Sequence, residues 1–169
     1  MEFFDLIQSR YSVRGYKPES VPTAVLEKVL QSANFAPTAA NRQPFQLIVI
    51  HTRGREKEMK QIYSKDWFIQ APLVICICAL PEAAWTRSDG KNYADVDATI
   101  AMDHLILAAA DLGLGTCWIA AFDPKAAREA LQLPDNVEPI AFTPLGYPAD
   151  SGRTKQRKPL SQLVRYEKW

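Results

Sequence analysis

Histidine is scarce in this 169-residue chain, and neither of its two histidines has a neighbour that could complete a metal site. His51 ends a predicted strand, and His104 lies within a predicted helix. A zinc site needs several histidine, cysteine or carboxylate ligands at short spacings, and no such spacing is present around either residue. We therefore predict that the protein holds no metal ion.

Cysteine is also rare, with residues only at Cys76, Cys78 and Cys117. All three lie in apolar segments, so we expect buried, reduced thiols rather than disulfides. Cys76 and Cys78 alternate along one predicted strand, which places both sulfur atoms on the same face. A G-x-S-x-G sequence, which carries the nucleophile of many hydrolases, is absent. Nothing in the sequence pairs Cys117 with a histidine, as a cysteine protease requires.

The chain has neither an excess of one charge nor a long apolar run. Its 20 basic and 19 acidic residues give a net charge of +1, so the composition offers no reason to expect binding to nucleic acid. No apolar run approaches the roughly 20 residues of a membrane-spanning helix, and the acidic N-terminus does not resemble a secretory signal. We expect a cytoplasmic protein with a single domain over residues 1–169.

Hydrophobic periodicity predicts that helices and strands follow one another along the chain. The predicted helices cover residues 2–9, 23–35, 54–63, 66–70, 94–112 and 123–131, and the predicted strands cover 45–50, 73–79, 116–122 and 137–144. Strand 73–79 is apolar on both faces and is therefore expected in the interior of a sheet.

The long helix over residues 94–112 is apolar around most of its circumference. One chain of this size can hardly bury such a helix completely, so we expect a second subunit to cover part of it. The sequence Gly113-Leu114-Gly115 after it resembles the start of a dinucleotide-binding loop. It follows a helix rather than a strand, however, which favours a helix C-cap.

Polar side chains suited to ligand binding are dispersed over several stretches. Arg10–Arg14 offers two guanidinium groups and a hydroxyl, which suit a phosphate, and Lys155–Arg157 is a second basic stretch. Asn41 and Gln43 lie in a proline-bounded loop, and their amides suit the edge of a heterocycle because they both donate and accept hydrogen bonds. The sequence Leu145-Gly146 permits a close approach to the backbone. Taken singly, each stretch is equally compatible with an ordinary turn, loop or tail.

Taken together and in this order, these stretches resemble the FMN-dependent nitroreductase family over essentially the whole chain. The motifs that carry the resemblance are Ser9–Arg14, Ala36–Phe45, Gly113–Trp118, Pro144–Pro148 and Lys155–Leu160. The resemblance implies an α+β fold with a central, mainly antiparallel sheet flanked by helices. It also implies a homodimer in which the C-terminal tail packs on the partner and FMN lies in the subunit interface.

The resemblance further implies two groups of cofactor-binding residues. Residues at the phosphate and ribityl end of FMN are Arg10, Tyr11, Ser12, Arg14, Lys155 and Arg157. Residues near the flavin ring are Asn41 and Gln43, together with the backbone of Pro144, Leu145 and Gly146. Tyr11 stands where the family often has an arginine or a histidine, which leaves the phosphate site with one charge fewer and the role of Tyr11 open.

The activity implied by the resemblance is a ping-pong reaction in which NAD(P)H reduces the flavin, leaves, and is replaced by a small aromatic acceptor, a nitroaromatic or a quinone. The flavin carries the chemistry, so no side chain is predicted as a catalytic acid or base. Aromatic residues that could line the acceptor site, or simply pack in the core or interface, are Trp67, Trp85, Tyr93 and Phe122. Alternatives are a non-catalytic flavin-binding or flavin-regulated protein, a binder of another phosphorylated ligand, and a relative acting as a flavin dehydrogenase or reductive dehalogenase.

Overall fold

The computed structural model describes residues 1–152 and 155–169. Its helices are α1 (Phe3–Ser9), α2 (Thr23–Asn34), α3 (Glu56–Ile62), α4 (Asp66–Gln70), α5 (Ala94–Asp111), α6 (Pro124–Leu131) and α7 (Leu160–Leu163). Its strands are β1 (Phe45–His51), β2 (Leu73–Ala79), β3 (Gly115–Thr116) and β4 (Glu138–Gly146). The predicted combination of helices and strands is confirmed, and most predicted bounds agree within one or two residues.

The four strands form one antiparallel sheet in the order β1-β2-β4-β3. Strand β2 is buried along its whole length, as predicted. Because side chains alternate between the faces of a strand, Ile75 and Ile77 pack in the core that contains α2 and α5. Val74 and Cys76 pack in the core that contains α3, α4 and α6. Helices therefore cover both faces of the sheet, which agrees with the predicted α+β fold of a sheet flanked by helices.

The strand predicted over residues 116–122 is wrong in most of its length, since β3 ends at Thr116. The Cys117 N–H donates to the side-chain Oγ1 of Thr143 at 3.0 Å rather than to a backbone carbonyl. Pairing returns at Ile119, which exchanges two backbone hydrogen bonds of 2.9 Å with Phe142. A side-chain acceptor on β4 thus interrupts the ladder, and apolar composition does not reveal such an interruption.

Helix α5 is the long apolar helix expected from the sequence, and eight of its 18 residues are buried. Its C-cap is Leu112, and the predicted glycine follows directly. Gly113 has a φ of +77°, and the Leu114 N–H donates to the Ala109 carbonyl at 2.8 Å. A glycine tolerates this left-handed conformation without a steric penalty.

The described residues also bear on the cysteines, on metal binding and on membrane insertion. The three cysteines are free and buried, and the Sγ atoms of Cys76 and Cys78 lie 3.6 Å apart on one face of β2. Across residues 1–152 and 155–169, no three histidine, cysteine or acidic side chains are grouped in a way that could hold a metal ion. No helix in this part of the chain has the length and apolar character needed to span a membrane.

Candidate functional site

A cationic cavity of about 490 Å³ lies where the N-terminal and C-terminal segments of the chain meet. The residues that line it are Arg10, Tyr11, Ser12, Arg14, Asp150, Ser151, Lys155, Gln156 and Arg157. All six residues predicted at the phosphate end of the cofactor are among them. Among the described lining residues, four cationic side chains accompany a single carboxylate, so the cavity suits an anion such as a phosphate group.

The N-terminal wall of this cavity is an extended segment that runs beside β3. Val13 donates its N–H to the Thr116 carbonyl at 2.9 Å, and Ser12 forms a parallel bridge with Thr116. The Val13 side chain is buried against Gly115, where a Cβ atom would lie 2.7 Å from Val13 Cγ2. Since neighbouring side chains of an extended segment point in opposite directions, Ser12 and Arg14 are left on the cavity side.

Asp150, which was not predicted from the sequence, joins the N-terminal wall to the segment after β4. Its Oδ2 accepts a hydrogen bond of 2.8 Å from the Arg14 N–H, and its backbone carbonyl accepts one of 2.7 Å from the Tyr11 hydroxyl. Burial raises the pKa of Tyr11, and the Asp150 charge raises it further. The Tyr11 ring lies close against Gly152, where a Cβ would be 2.9 Å from Tyr11 Cγ. Tyr11 therefore links the N-terminal wall to the segment after β4. It does not supply the positive charge that an arginine or a histidine would provide at this position.

Lys155 ties the C-terminal segment to the end of α1. Its Nζ donates to the carbonyls of Ile7 and Gln8 at 2.8 and 2.6 Å, which is a common role for lysine at a helix C-terminus. Burial lowers the pKa of Lys155, and the nearby charges of Arg10 and Arg157 lower it further. An anion in the cavity would relieve this repulsion between cations.

A second cavity of about 200 Å³ adjoins the first and shares Arg10 and Tyr11 with it. Its other lining residues are mainly small or apolar and come from α1, the end of α5, β3 and the segment after β4: Ser9, Val13, Ala110, Gly113, Leu114, Gly115, Thr116 and Pro148. The charged cavity therefore continues into a less polar space, an arrangement that suits a ligand with a charged end and an apolar body.

The loop that carries Asn41 and Gln43 has an unusual backbone conformation. Ala40, Asn41 and Gln43 have φ angles of 52°, 54° and 50°, which are costly for residues with a Cβ atom. Gln43 Nε2 donates to Oδ1 of Asn41 at 3.1 Å, so the Asn41 amide presents its NH₂ group as the remaining donor. Local strain of this kind persists where the surrounding structure enforces it, and it is frequent at functional sites.

Within one chain, this loop and the cationic cavity lie at opposite corners of the sheet. Phe45, which follows the loop, pairs with Ala79 at one end of β2, whereas Leu145 pairs with Leu73 at the other end. The seven residues of β2 extend over about 20 Å, and β1 and β3 lie at opposite edges of the sheet. The structure therefore does not bring Asn41 and Gln43 to the cavity of their own chain.

The predicted ring-binding residues Pro144, Leu145 and Gly146 lie at the end of β4 and are buried. The β4 backbone is paired on both sides here, with Leu73 of β2 and with Gly115 of β3. A Cβ atom on Gly146 would lie 2.7 Å from Pro72 Cδ, so the absence of a side chain is explained by packing. Contact between this strand end and a flavin ring stays a prediction.

Comparison with known proteins assigns the chain to a family. The sequence matches the nitroreductase family over residues 7–65 and 53–147. The chain belongs to the nitroreductase family. A nitroreductase family protein from Clostridium difficile 630 is 41% identical, with a TM-score of 0.89 and full coverage of both chains. One from Clostridium novyi NT is 34% identical, with a TM-score of 0.83, over 89% of this chain and 87% of the other.

The chain is also similar to a protein with a named activity. The FMN reductase [NAD(P)H] of Bacillus subtilis is 30% identical over 165 residues, which are 88% of this chain and 66% of that protein. The family and the nitroreductase fold predicted from the sequence are thus confirmed, and with them the enzyme class, an oxidoreductase.

Proposed function

We propose that this nitroreductase-family protein binds FMN, takes hydride from NAD(P)H and reduces a small aromatic acceptor by a ping-pong mechanism. The observation that carries the proposal is the convergence of Arg10, Ser12, Arg14 and Arg157 on one cationic cavity. Guanidinium groups bind phosphate through paired, charge-assisted hydrogen bonds, and a serine hydroxyl adds a further donor. The adjoining smaller cavity offers room for the apolar part of the same ligand.

Bound FMN supplies the redox chemistry, and the residues of the chain bind and orient it. The arginines of the cavity would hold its phosphate, and the NH₂ group of Asn41 would be the donor that this loop offers to the edge of its ring. No side chain is required as an acid or base in this scheme.

The active form is a homodimer, in which the loop carrying Asn41 comes from a second copy of the chain. This arrangement is supported by the distance between the loop and the cavity within one chain. It is also supported by large apolar side chains that one chain leaves exposed. Those near the N-terminus and α2 are Phe3 (59%), Phe4 (78%) and Phe35 (71%), and those of the C-terminal tail are Leu160 (71%), Leu163 (63%) and Trp169 (105%). A second copy would cover both groups, and the tail would then pack on the partner.

The acceptor binds against the aromatic pair of the segment before α5. Trp85 and Tyr93 pack edge to face, with ring centroids 5.2 Å apart. This segment adjoins the Asn41 loop, because the Leu80 N–H donates to the Pro44 carbonyl at 2.8 Å. Trp67 and Phe122 pack instead on Tyr63 and Phe142, so they are poorer candidates for the acceptor site.

The deciding experiment is anaerobic reduction of the purified protein after reconstitution with FMN. We expect a yellow protein whose flavin absorbance is bleached by NADH or NADPH and restored by a nitroaromatic or a quinone. A colourless protein that cannot be reconstituted would refute the proposal. A yellow protein that neither NADH nor NADPH bleaches would instead indicate a non-catalytic flavin-binding protein.

A further inference from the structure

Asp97 is a buried carboxylate in the first turn of α5, and only 2% of its surface is exposed. Its Oδ1 accepts a hydrogen bond of 2.9 Å from the Ala39 N–H. Its Oδ2 is buried and has no hydrogen-bond partner among the described residues. Nearby residues of the helix, Ala94 and Ala98, belong to the apolar core. Burial of a charged oxygen without a partner is unfavourable, so packing of α5 alone does not account for an aspartate here.

The bond from Asp97 connects α5 to the strained loop. Ala39 immediately precedes Ala40 and Asn41, the first two residues with positive φ. The other hydrogen bonds of residues 38–43 within the described chain are local in sequence: Asn41 N to Thr38 O, Arg42 N to Ala39 O, Gln43 N to Thr38 Oγ1, Gln43 Nε2 to Asn41, and Phe45 N at the start of β1 to Gln43 O. These local bonds shape the loop, whereas the bond to Asp97 connects it to a helix that is distant in sequence.

We propose that Asp97 is a positioning residue, which holds the loop over residues 38–43 in the strained conformation that presents Asn41 to the flavin. The inference rests on the proposed function, because the contact of Asn41 with the flavin does. The carboxylate touches neither cofactor nor acceptor in this scheme. It acts through the Ala39 N–H, and its negative charge near the N-terminus of α5 is favoured by the helix dipole.

Asp97→Ala tests this role, and Asp95→Ala is the matched control because Asp95 lies exposed in the same first turn. Limited trypsin digestion of the FMN-free protein measures the order of the loop, since Arg42 is exposed within it. We expect cleavage after Arg42 to be about tenfold faster in Asp97→Ala than in Asp95→Ala, the factor that corresponds to a lost charge-assisted hydrogen bond. In the same comparison, the Kd of FMN should rise by about tenfold.

Asp97→Asn separates the hydrogen bond from the charge. Asparagine keeps an oxygen that can accept from Ala39, so cleavage after Arg42 and the Kd of FMN should both return toward the wild-type values. If Asp97 were merely structural, Asp97→Ala would lower the thermal stability of the whole protein, and cleavage after Arg42 would not increase selectively.

Different outcomes would refute the role of Asp97 and the proposed function. Failure of the wild-type protein to bind FMN would refute the proposed function. Equal FMN affinity and equal cleavage in Asp97→Ala and Asp95→Ala, in a protein that does bind FMN, would refute the role of Asp97. If Asp97→Ala does not fold, hydrogen exchange of the wild-type protein decides, because an Ala39 amide that exchanges as fast as an unstructured peptide would overturn the proposal.

Discussion

The cationic cavity and the Asn41 loop are built in different ways. The cavity combines residues that are far apart in sequence, those of Arg10–Arg14 with Asp150, Ser151 and residues 155–157, and its suitability for a ligand lies in side-chain charge. The loop is one short segment whose capacity lies in its backbone, which places Asn41 through three residues with positive φ. Binding of a phosphate by the cavity can therefore be predicted from residue types, whereas the proposed binding of a ring edge by the loop would depend on a conformation that residue types do not specify.

The largest effect is expected from a variant that disrupts the proposed dimer, because the cavity of one subunit and the Asn41 loop of the other would then no longer meet. In Phe4→Glu, a charge replaces a side chain that is 78% exposed in one chain, so the monomer should still fold. An unpaired charge in a subunit interface is strongly unfavourable, and light scattering should show the mass of a monomer that has lost its FMN. Lys57→Glu on α3 is the control. A Phe4→Glu dimer with full flavin content would show that this surface lies outside the interface.

The second largest effect concerns the cavity alone. Arg10→Ala should weaken FMN binding by about 1.5–3 kcal/mol, the contribution of a hydrogen bond to a charged group. The double variant Arg10→Ala/Arg14→Ala should lose more than either single variant, and the two losses need not add because both arginines face the same cavity. Quenching of FMN fluorescence measures both, with exposed Arg53→Ala as the control. Unchanged affinity in the double variant would contradict the assignment of this cavity to the phosphate.

A smaller effect is expected for Lys155, because its Nζ is already bonded to carbonyls of α1. Lys155→Ala should loosen the C-terminal segment and weaken FMN binding by about tenfold, whereas Lys158→Ala should have little effect. The pKa of Lys155 is lowered by burial and by neighbouring cations. In the wild-type protein, FMN affinity should therefore fall as the pH rises through that lowered pKa, since the neutral amine no longer attracts the phosphate. If the FMN affinity of Lys155→Ala falls equally with rising pH, the pH dependence belongs to another group.

The smallest effect concerns the strained backbone of the loop. Ala40→Gly should raise the free energy of unfolding by about 1 kcal/mol, because glycine adopts a positive φ without a clash of its Cβ atom. Ala24→Gly, at an exposed position of α2, should lower it by about 0.5–1 kcal/mol. Denaturant unfolding of both variants measures the contrast. If both variants lose stability equally, the left-handed conformation of Ala40 carries no strain.

Prediction from the sequence succeeded where side-chain type determines the outcome. Strand β2 could be identified as interior because its residues are apolar on both faces. The six residues that the resemblance to nitroreductases groups at the phosphate end of FMN line one cavity, and their contact with FMN stays a prediction. Prediction failed where the outcome depends on one tertiary contact. The Cys117 N–H donates to the Thr143 hydroxyl, and this contact shortens β3. Asp150 and Asp97 each accept a hydrogen bond from a backbone N–H that is distant in sequence. No local pattern in the sequence identifies such contacts.

Helix α5 extends from the Asn41 loop at one corner of the sheet to the smaller cavity at the opposite corner. Asp97 lies near its start, beside the Asn41 loop, and Ala110 lines the smaller cavity near its end. These residues are about 20 Å apart along the helix axis. One residue inserted between them would turn one end by about 100° relative to the other and lengthen the helix by about 1.5 Å. In the proposed dimer the same length would set the spacing between the two proposed flavin sites, so we expect α5 to accept substitutions on its exposed face but not a change in its number of residues.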